Sequence, residues 1–132
     1  HWDLTQASFA LQAIPTGERS HLFAALRPRT HALALVEFNV PTEPERREEH
    51  LASLVQRYER GIAEYPAEAD LVGPGFLAPM LLGQLGTQRQ RANWEQPAAA
   101  WRAQLLEAGF RHVRVAPLLD YWWSPAFLML AS

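Results

Sequence analysis

The chain has 132 residues, of which 48% are hydrophobic and 20% are charged, and these proportions are typical of a globular domain rather than a disordered segment. A formal net charge of −2 creates no field that would attract nucleic acid or an anionic membrane, so neither is expected as a partner. The absence of Lys and Cys excludes Schiff-base, thiolate and disulfide chemistry within this sequence.

Segment lengths and motif searches exclude further classes. No apolar run approaches the ~20 residues of a membrane span. The first residues lack the basic and long apolar regions of a signal peptide, so a cytoplasmic location is expected. The five His residues form no H-x₃-H or H-E-x-x-H pair, and no metal site is predicted. Hydrolase-elbow, dinucleotide-binding and Walker motifs are also missing from the sequence.

The first third of the chain predicts a βαβ unit. Residues 3 to 11 carry little charge and indicate a buried strand, although a helix is an alternative by pattern alone. Thr16 can cap a helix that stops before Pro28. Residues 31 to 38 are a continuous apolar run of strand length, the pattern of a parallel strand that is covered on both faces.

The middle of the chain predicts helices. One helix carries an apolar stripe made by Leu51, Leu54, Val55, Tyr58 and Ile62. Its charged residues, including the run at 45 to 49, are expected to form a solvated face rather than an acid–base site. The following apolar stretch, punctuated by Gly and Pro, suggests short helices that cover another surface. Its Gly-Pro-Gly at 73 to 75 is expected to be a turn and not a phosphate loop.

The last third predicts a polar loop, a helix and two strands. The loop covers residues 86 to 94, and the helix ends at Gly109. Residues 110 to 118 alternate as a half-exposed strand does, and residues 119 to 131 form a second strand in which Ser124-Pro125 marks a bulge or a strand start. The sequence contains no repeat or linker, so residues 1–132 are expected to form a single α/β domain.

Glu37 is the first candidate functional residue because of its position in the predicted sheet. It stands at the carboxyl end of the apolar strand. In open α/β sheets, ligands bind beyond the carboxyl ends of the strands. The alternative is a carboxylate that only satisfies the backbone of a turn or a helix cap.

Three stretches carry motifs in a characteristic order. They are "DLTQASFALQAIP" at 3–15, "ALRPRTHALALVEFNVP" at 25–41 and "WRAQLLEAGFRHVRVAPLLDYWWSPAFLMLAS" at 101–132. Together they resemble the C-terminal half of a class I S-adenosylmethionine-dependent methyltransferase. In that family the fourth strand begins with Asp, the next helix ends in Leu-Arg-Pro, the fifth strand ends in Glu, and an Ala-Gly-Phe turn leads into the last hairpin. The chain departs from the pattern at Gln12, where many relatives have His, and at Arg29-Thr30, where Gly is usual.

The resemblance implies a fold class and a partner. The family sheet has the strand order 3-2-1-4-5-7-6 with strand seven antiparallel. This chain would supply half of that Rossmann-like sheet, namely parallel strands 4 and 5 and a C-terminal antiparallel hairpin, with helices on both faces. The family's Gly-rich loop and ribose-binding carboxylate belong to strands 1 and 2, so a second polypeptide that carries strands 1 to 3 is expected. Pairing between two copies of strand four is the weaker possibility.

The resemblance also implies site residues and a reaction. S-adenosylmethionine is the expected cofactor, and its methionine portion would lie along Ala7, Ser8, Phe9 and Ala10. The catalytic candidates are Glu37 and Asn39, with residues 73 to 85 as a lid. The substrate-side candidates are Gln12, Phe76, Tyr121, Trp122 and Trp123, although aromatic residues on strands more often serve packing.

The expected reaction is direct methyl transfer to a small-molecule acceptor. Two alternatives belong to other functional classes. One is a non-catalytic structural or regulatory partner of a methyltransferase, and the other is an α/β interaction module with no link to methyl transfer. The ordered series of motifs favours the methyltransferase over the interaction module.

Overall fold

The computed structural model describes residues 1–42, 47–85 and 93–132, without the side chain of Arg47. The chain divides into two compact units, one made of His1–Pro41 with Ala92–Ser132 and the other of Thr42–Arg91. Most of the predicted polar loop, at 86–92, lies outside the described residues, and so does the beginning of the charged run at 45 and 46.

The described elements follow an α/β order. In chain order they are β1 (Trp2–Ser8), α1 (Thr16–Leu26), β2 (Thr30–Phe38), α2 (Arg47–Glu64), α3 (Ala69–Val72), α4 (Ala78–Leu82), α5 (Ala98–Glu107), β3 (Val113–Leu119) and β4 (Ala126–Ala131). Within these elements, no helix combines the length and the apolarity that crossing a bilayer requires.

The four strands form one mixed sheet in the first unit. Their spatial order is β1-β2-β4-β3. Strands β1 and β2 are parallel, and β4 is antiparallel to both of its neighbours. The predicted βαβ unit is therefore confirmed, as is the α/β class of the fold.

Helices α1 and α5 contribute to a core on one face of this sheet. The largest buried side chains of the core are Phe23, Trp101, Leu105, Leu33, Leu35 and Met129. Burying each such side chain contributes about 1.5–3 kcal/mol relative to exposure. Helix α5 ends as predicted, because Gly109 adopts φ +94°, the left-handed conformation that stops a helix at little steric cost.

The opposite face of the sheet is more exposed than the apolar pattern predicts, and β1 forms the outer edge, the position that the family resemblance implies for strand four in this chain. Strand β1 lies at the edge, and the side chains of Trp2 and Leu4 are 55% and 56% exposed rather than buried. Leu4 shares its face with Ala34 of β2 and Leu130 of β4, and Leu130 is also exposed. Among the described strands, none pairs with the outer edge of β1.

The second unit is helical, as predicted, but its Gly-Pro-Gly segment is not a turn. Residues Gly73–Leu77 form a π-helical segment between α3 and α4. Pro74 has no N–H to donate, and it lies where the α-helical hydrogen-bond pattern of α3 gives way to a π-helical one. Gly73 packs closely against α2, since a Cβ there would lie 2.8 Å from Tyr58 Oη.

Candidate functional site

The site predicted in the first unit lies along one edge of the sheet, where β1 and β2 end and β4 begins. Backbone hydrogen bonds join the three segments. Phe9 N donates to Val36 O at 2.8 Å, and Asn39 N donates to Pro125 O at 2.8 Å. The Ser124 hydroxyl donates to Asn39 O at 2.7 Å. The ends of β1 and β2 and the start of β4 are thus brought together at this edge, here called the carboxyl edge.

Glu37 is buried at the carboxyl edge and holds the segment that follows β1. Its Oε1 accepts hydrogen bonds from Leu11 N at 2.9 Å and Gln12 N at 3.3 Å. The side chain is only 1% exposed. This contact fits the alternative in which the carboxylate satisfies the backbone of a turn.

Burial dominates the electrostatics of Glu37. Loss of hydration raises the pKa of its carboxyl from 4.5 to about 7, although the hydrogen bonds from Leu11 and Gln12 and the charge of Arg19 oppose the rise. The charge of Glu95 raises this pKa further. Within the described part of the chain, Glu37 Oε2 has no hydrogen-bond partner. Near neutral pH the group is therefore divided between its two protonation states.

Arg19 is a buried cation that the sequence analysis did not identify. Its side chain is fully buried, and its Nη2 donates to Ile14 O at 2.9 Å and Trp94 O at 2.7 Å. The guanidinium lies 3.9 Å from the centre of the Trp101 ring, within the range of a cation–π interaction. Burial lowers the pKa of Arg19 to about 10, so it stays cationic at neutral pH.

Asn39 connects the carboxyl edge to helix α5. Its Oδ1 accepts a hydrogen bond at 2.8 Å from the backbone N–H of Ala98, the first residue of that helix. One of the four N–H groups that a helix start leaves without an intrahelical partner is thereby satisfied. Asn39 also forms an isolated parallel bridge with Gln96. Its side chain therefore has a structural task at this edge.

Aromatic rings form a continuous row along the carboxyl edge. The rings of Phe9 and Phe38 stack with centroids 4.6 Å apart and an interplanar angle of 30°. Phe38 stacks in turn on Tyr121 at 5.7 Å and 17°. The row continues through Trp122 to Trp123, whose Nε1 donates to Glu95 Oε1 at 2.9 Å. Both Trp side chains are buried, whereas Phe9 is 40% exposed.

Phe38 is the member of this row that the sequence analysis missed. Its position gives the available signal, because it follows Glu37 at the end of β2, beside the candidate residues at the end of β1. A residue that follows an inward-facing one on a strand points to the opposite face of the sheet. Glu37 therefore reaches the core while Phe38 reaches the ring row.

The remaining candidate residues for cofactor binding differ in how exposed they are to solvent. Ala7 is partly buried and packs against the core, whereas Ser8 and Ala10 are exposed. The Ser8 hydroxyl accepts a hydrogen bond from Gln6 Nε2 at 3.2 Å. The segment thus offers small side chains and backbone groups to a ligand.

Two substrate-side candidates lie in different surroundings. Gln12 is tied down through its backbone, because its carbonyl accepts from Trp94 N at 2.7 Å. Phe76 belongs to the second unit, where it lies in the π-helical segment and is 51% exposed. Of the candidates, only Phe76 is outside the unit that contains the carboxyl edge.

The arrangement offers stacking surfaces and backbone groups rather than an exposed acid or base. Its one candidate carboxylate, Glu37, is buried beneath the segment that it holds. In the described ranges, no group of three His, Cys, Asp or Glu side chains is positioned to bind a metal ion. The edge can therefore orient a ligand more readily than it can transfer a proton.

No protein-family model matches the chain, and no curated protein matches it significantly. The geometry of the sheet and of the carboxyl edge is therefore what guides an assignment of function.

Proposed function

We propose that this chain is the C-terminal half of a class I S-adenosylmethionine-dependent methyltransferase that methylates a small-molecule acceptor in the cytoplasm. The observation that carries the proposal is the order and direction of the strands. The order β1-β2-β4-β3, with only β4 reversed between its neighbours, is the order 4-5-7-6 that the motif series implies. This agreement between the motif series and the strand order favours the proposed fold over other α/β arrangements.

The exposed edge of β1 supports the second part of the proposal, a partner polypeptide that completes the sheet. Two large apolar side chains of this strand, Trp2 and Leu4, are more than half exposed. An edge of this kind presents unpaired backbone groups and is a template for another strand. A parallel strand from the partner would satisfy these groups and shield the two side chains.

The exposed sheet face supports the same partner. A crossover between parallel strands is almost always right-handed. Helix α1 covers one face in the crossover from β1 to β2, so a βαβ unit that extends the sheet in the other direction carries its helix on the opposite face. Leu4 and Leu130 lie exposed on that opposite face. A partner that adds strands beyond β1 would therefore cover both apolar surfaces.

The residues of this chain fit part of the cofactor. Exposed Ser8 and Ala10 leave the backbone after β1 accessible at the carboxyl edge, as close approach of the methionine portion would require. The Gly-rich loop and the ribose-binding carboxylate would come from the partner. When bound, S-adenosylmethionine supplies a methyl group that an acceptor can attack directly. The residues of this chain then contribute orientation of the acceptor and exclusion of water.

A second candidate function is a structural or regulatory partner that does not take part in catalysis. The internal contacts of the two catalytic candidates favour it. Glu37 Oε1 is engaged by two backbone N–H groups, and Asn39 Oδ1 is engaged by helix α5. In this alternative both side chains support the fold and neither contacts the acceptor.

The experiment uses the native complex, isolated from its host through a tag on this chain. Isothermal titration measures S-adenosylmethionine binding to the complex and to the chain alone, and radiolabelled methyl transfer measures turnover. The proposal expects binding by the complex only, and a complex without affinity for the cofactor contradicts it.

Two variants then distinguish the two candidate functions. In a catalytic half, Asn39→Ala lowers turnover while the affinity for S-adenosylmethionine stays unchanged. Asn39→Asp preserves the hydrogen bond to Ala98 and controls for a purely structural effect. Unchanged turnover in Asn39→Ala and in Glu37→Gln, in a complex that binds the cofactor, supports the non-catalytic partner instead.

A further inference from the structure

Phe9 adopts a backbone conformation that is unusual for a large side chain. Its φ is +50°, in the left-handed region where Phe is a genuine outlier. Such conformations persist only when the surroundings impose them, and they concentrate at ligand sites. Three contacts impose this one. Phe9 N donates to Val36 O, the ring stacks on Phe38, and Glu37 holds the backbone two residues further on at Leu11.

Phe9, the residue with the strained backbone, lies at the exposed end of the aromatic row. Phe38 is in the middle, with one neighbour 4.6 Å away and the other 5.7 Å away. Phe9, at the end beside the open edge of β1, keeps 40% of its surface exposed. A flat ring placed against Phe9 would therefore extend a stack whose other members are already fixed. Stacking geometry selects for planarity and aromaticity rather than for charge.

We propose that Phe9, with Phe38 and Tyr121 stacked behind it, forms a stacking site for a planar aromatic ligand. In the completed methyltransferase this ligand is the methyl acceptor. That second statement rests on the proposed function, whereas the stacking site itself does not. The position of the row agrees with a ligand role, because open α/β sheets bind ligands at the carboxyl ends of their strands.

The test compares two probes of the same skeleton, 2-naphthol and decahydro-2-naphthol, which differ in aromaticity and planarity. Their dissociation constants for the purified chain are measured by ligand-observed NMR. We expect 2-naphthol to bind about three- to tenfold more tightly, the factor that aromatic pairing adds beyond apolar burial. The variant Phe9→Leu should reduce this preference to less than twofold, because Leu keeps an apolar surface without a ring.

A matched control uses the exposed aromatic residue at the other end of the same strand. Trp2→Leu removes a ring that is 55% exposed and outside the row, so the preference for 2-naphthol should remain. Circular dichroism checks that each variant is folded. If Phe9→Leu does not fold, Phe9→Asn removes the same ring and provides the same comparison, because Asn adopts a left-handed backbone more readily than other residues.

Each outcome decides a separate question. Equal affinities of the two probes, absence of binding, or a preference that survives the loss of the ring would overturn the stacking site. A stacking site in a complex that does not bind S-adenosylmethionine would overturn the proposed function alone. A complex that binds the cofactor but shows no preference for 2-naphthol, although the isolated chain does, would overturn only the assignment of the acceptor.

Discussion

Glu37 and Arg19 form the electrostatic centre of the first unit, and different groups replace the hydration that each of them loses on burial. Arg19 has two carbonyl acceptors and the face of Trp101. Glu37 has two N–H donors on one oxygen, while burial disfavours its charge. A buried charge is tolerated when hydrogen bonds and an opposite charge replace its hydration. Burial brings the pKa of Glu37 to about 7 but that of Arg19 only to about 10, so the carboxylate is the group whose protonation changes near neutral pH.

Glu37→Gln should flatten the dependence of stability on pH. The pKa of Glu37 is about 7 in the folded chain, against an ordinary value of 4.5. Between these values the folded state binds more protons than the unfolded state, so stability falls as pH rises. The stabilisation is complete below pH 4.5 and is lost as the pH passes through about 7. Urea unfolding at pH 5 and pH 8 should show a loss of about 2 kcal/mol in the original chain, and a much smaller loss in the Gln variant.

Glu107→Gln is the control for this measurement, since it removes the same charge from an exposed position at the end of α5. Its unfolding free energy should follow the pH dependence of the original chain. An unchanged pH slope in Glu37→Gln would mean that the carboxyl of Glu37 titrates in its ordinary range.

Two single residues have structural features that could not be predicted from the sequence. Arg19 lies four positions before the buried Phe23, on the same side of α1, but a charged residue in a helix is normally assigned to the surface. What permits its burial includes Trp94 O, which is 75 residues away in sequence. Phe9 gave no sign of its left-handed backbone, since this conformation depends on contacts with Val36 and Phe38. Local sequence patterns contain no information about partners that are so distant in the chain.

At the scale of elements, prediction succeeded where a local sequence pattern is compatible with only one secondary structure. Strand β2 and the end of α5 at Gly109 match the sequence expectations. The existence of strand β1 was predicted correctly, but the burial predicted for it is not observed. An apolar run has the same sequence pattern whether or not a neighbour covers it. The Gly-Pro-Gly segment was mistaken for a turn because local turn propensity ignores the packing of Gly73 against Tyr58.

Asn39→Ala should weaken the attachment of helix α5 to the sheet. The substitution removes the acceptor of the Ala98 N–H and should lower the free energy of unfolding by about 1 kcal/mol, the usual cost of losing a cap. Asn39→Asp keeps an oxygen at this place and adds a negative charge near a helix start, so it should restore stability. Urea unfolding followed by fluorescence compares the three chains. Equal stabilities of the Ala and Asp variants would contradict this structural task.

Gly73→Ala should destabilise the helical second unit through a steric clash. The new Cβ would lie 2.8 Å from Tyr58 Oη and 3.0 Å from Ile62 Cδ1, and overpacking of this kind costs about 1–3 kcal/mol. Thermal unfolding measured by far-ultraviolet circular dichroism reports the change. Adding Tyr58→Phe should recover part of the loss, because it removes the atom that clashes.

Gly75→Ala provides a matched control two residues further along the same segment. Nothing lies within 4 Å of the Cβ it would carry, and Ala has the higher helix propensity. Its thermal stability should therefore equal or exceed that of the original chain. A similar loss in both variants would show that the segment requires Gly for its backbone and not for the contact with Tyr58.

At the scale of the whole molecule, the sheet combines a well-packed interior with an open boundary. Strand β2 has neighbours on both sides, whereas β1 has a described neighbour on one side only. The exposed Leu4 and Leu130 extend this boundary onto one face of the sheet. Local patterns predict each strand, whereas the spatial order of the strands and the edge position of β1 were expectations from the family resemblance and not from those patterns.

Hydrogen exchange should show this boundary directly. In an edge strand, alternate backbone N–H groups point towards the neighbour and away from it. In the dilute isolated chain, a peptide covering Trp2–Ser8 should therefore exchange about half of its amides rapidly, while a peptide covering the interior strand Thr30–Phe38 stays protected. In the native complex both peptides should be protected, because a partner strand pairs with the outer edge.

Native mass spectrometry identifies the species under each condition. A dilute monomer in which every amide of β1 resists exchange would leave no open edge for a partner, and the split-sheet proposal would then fail.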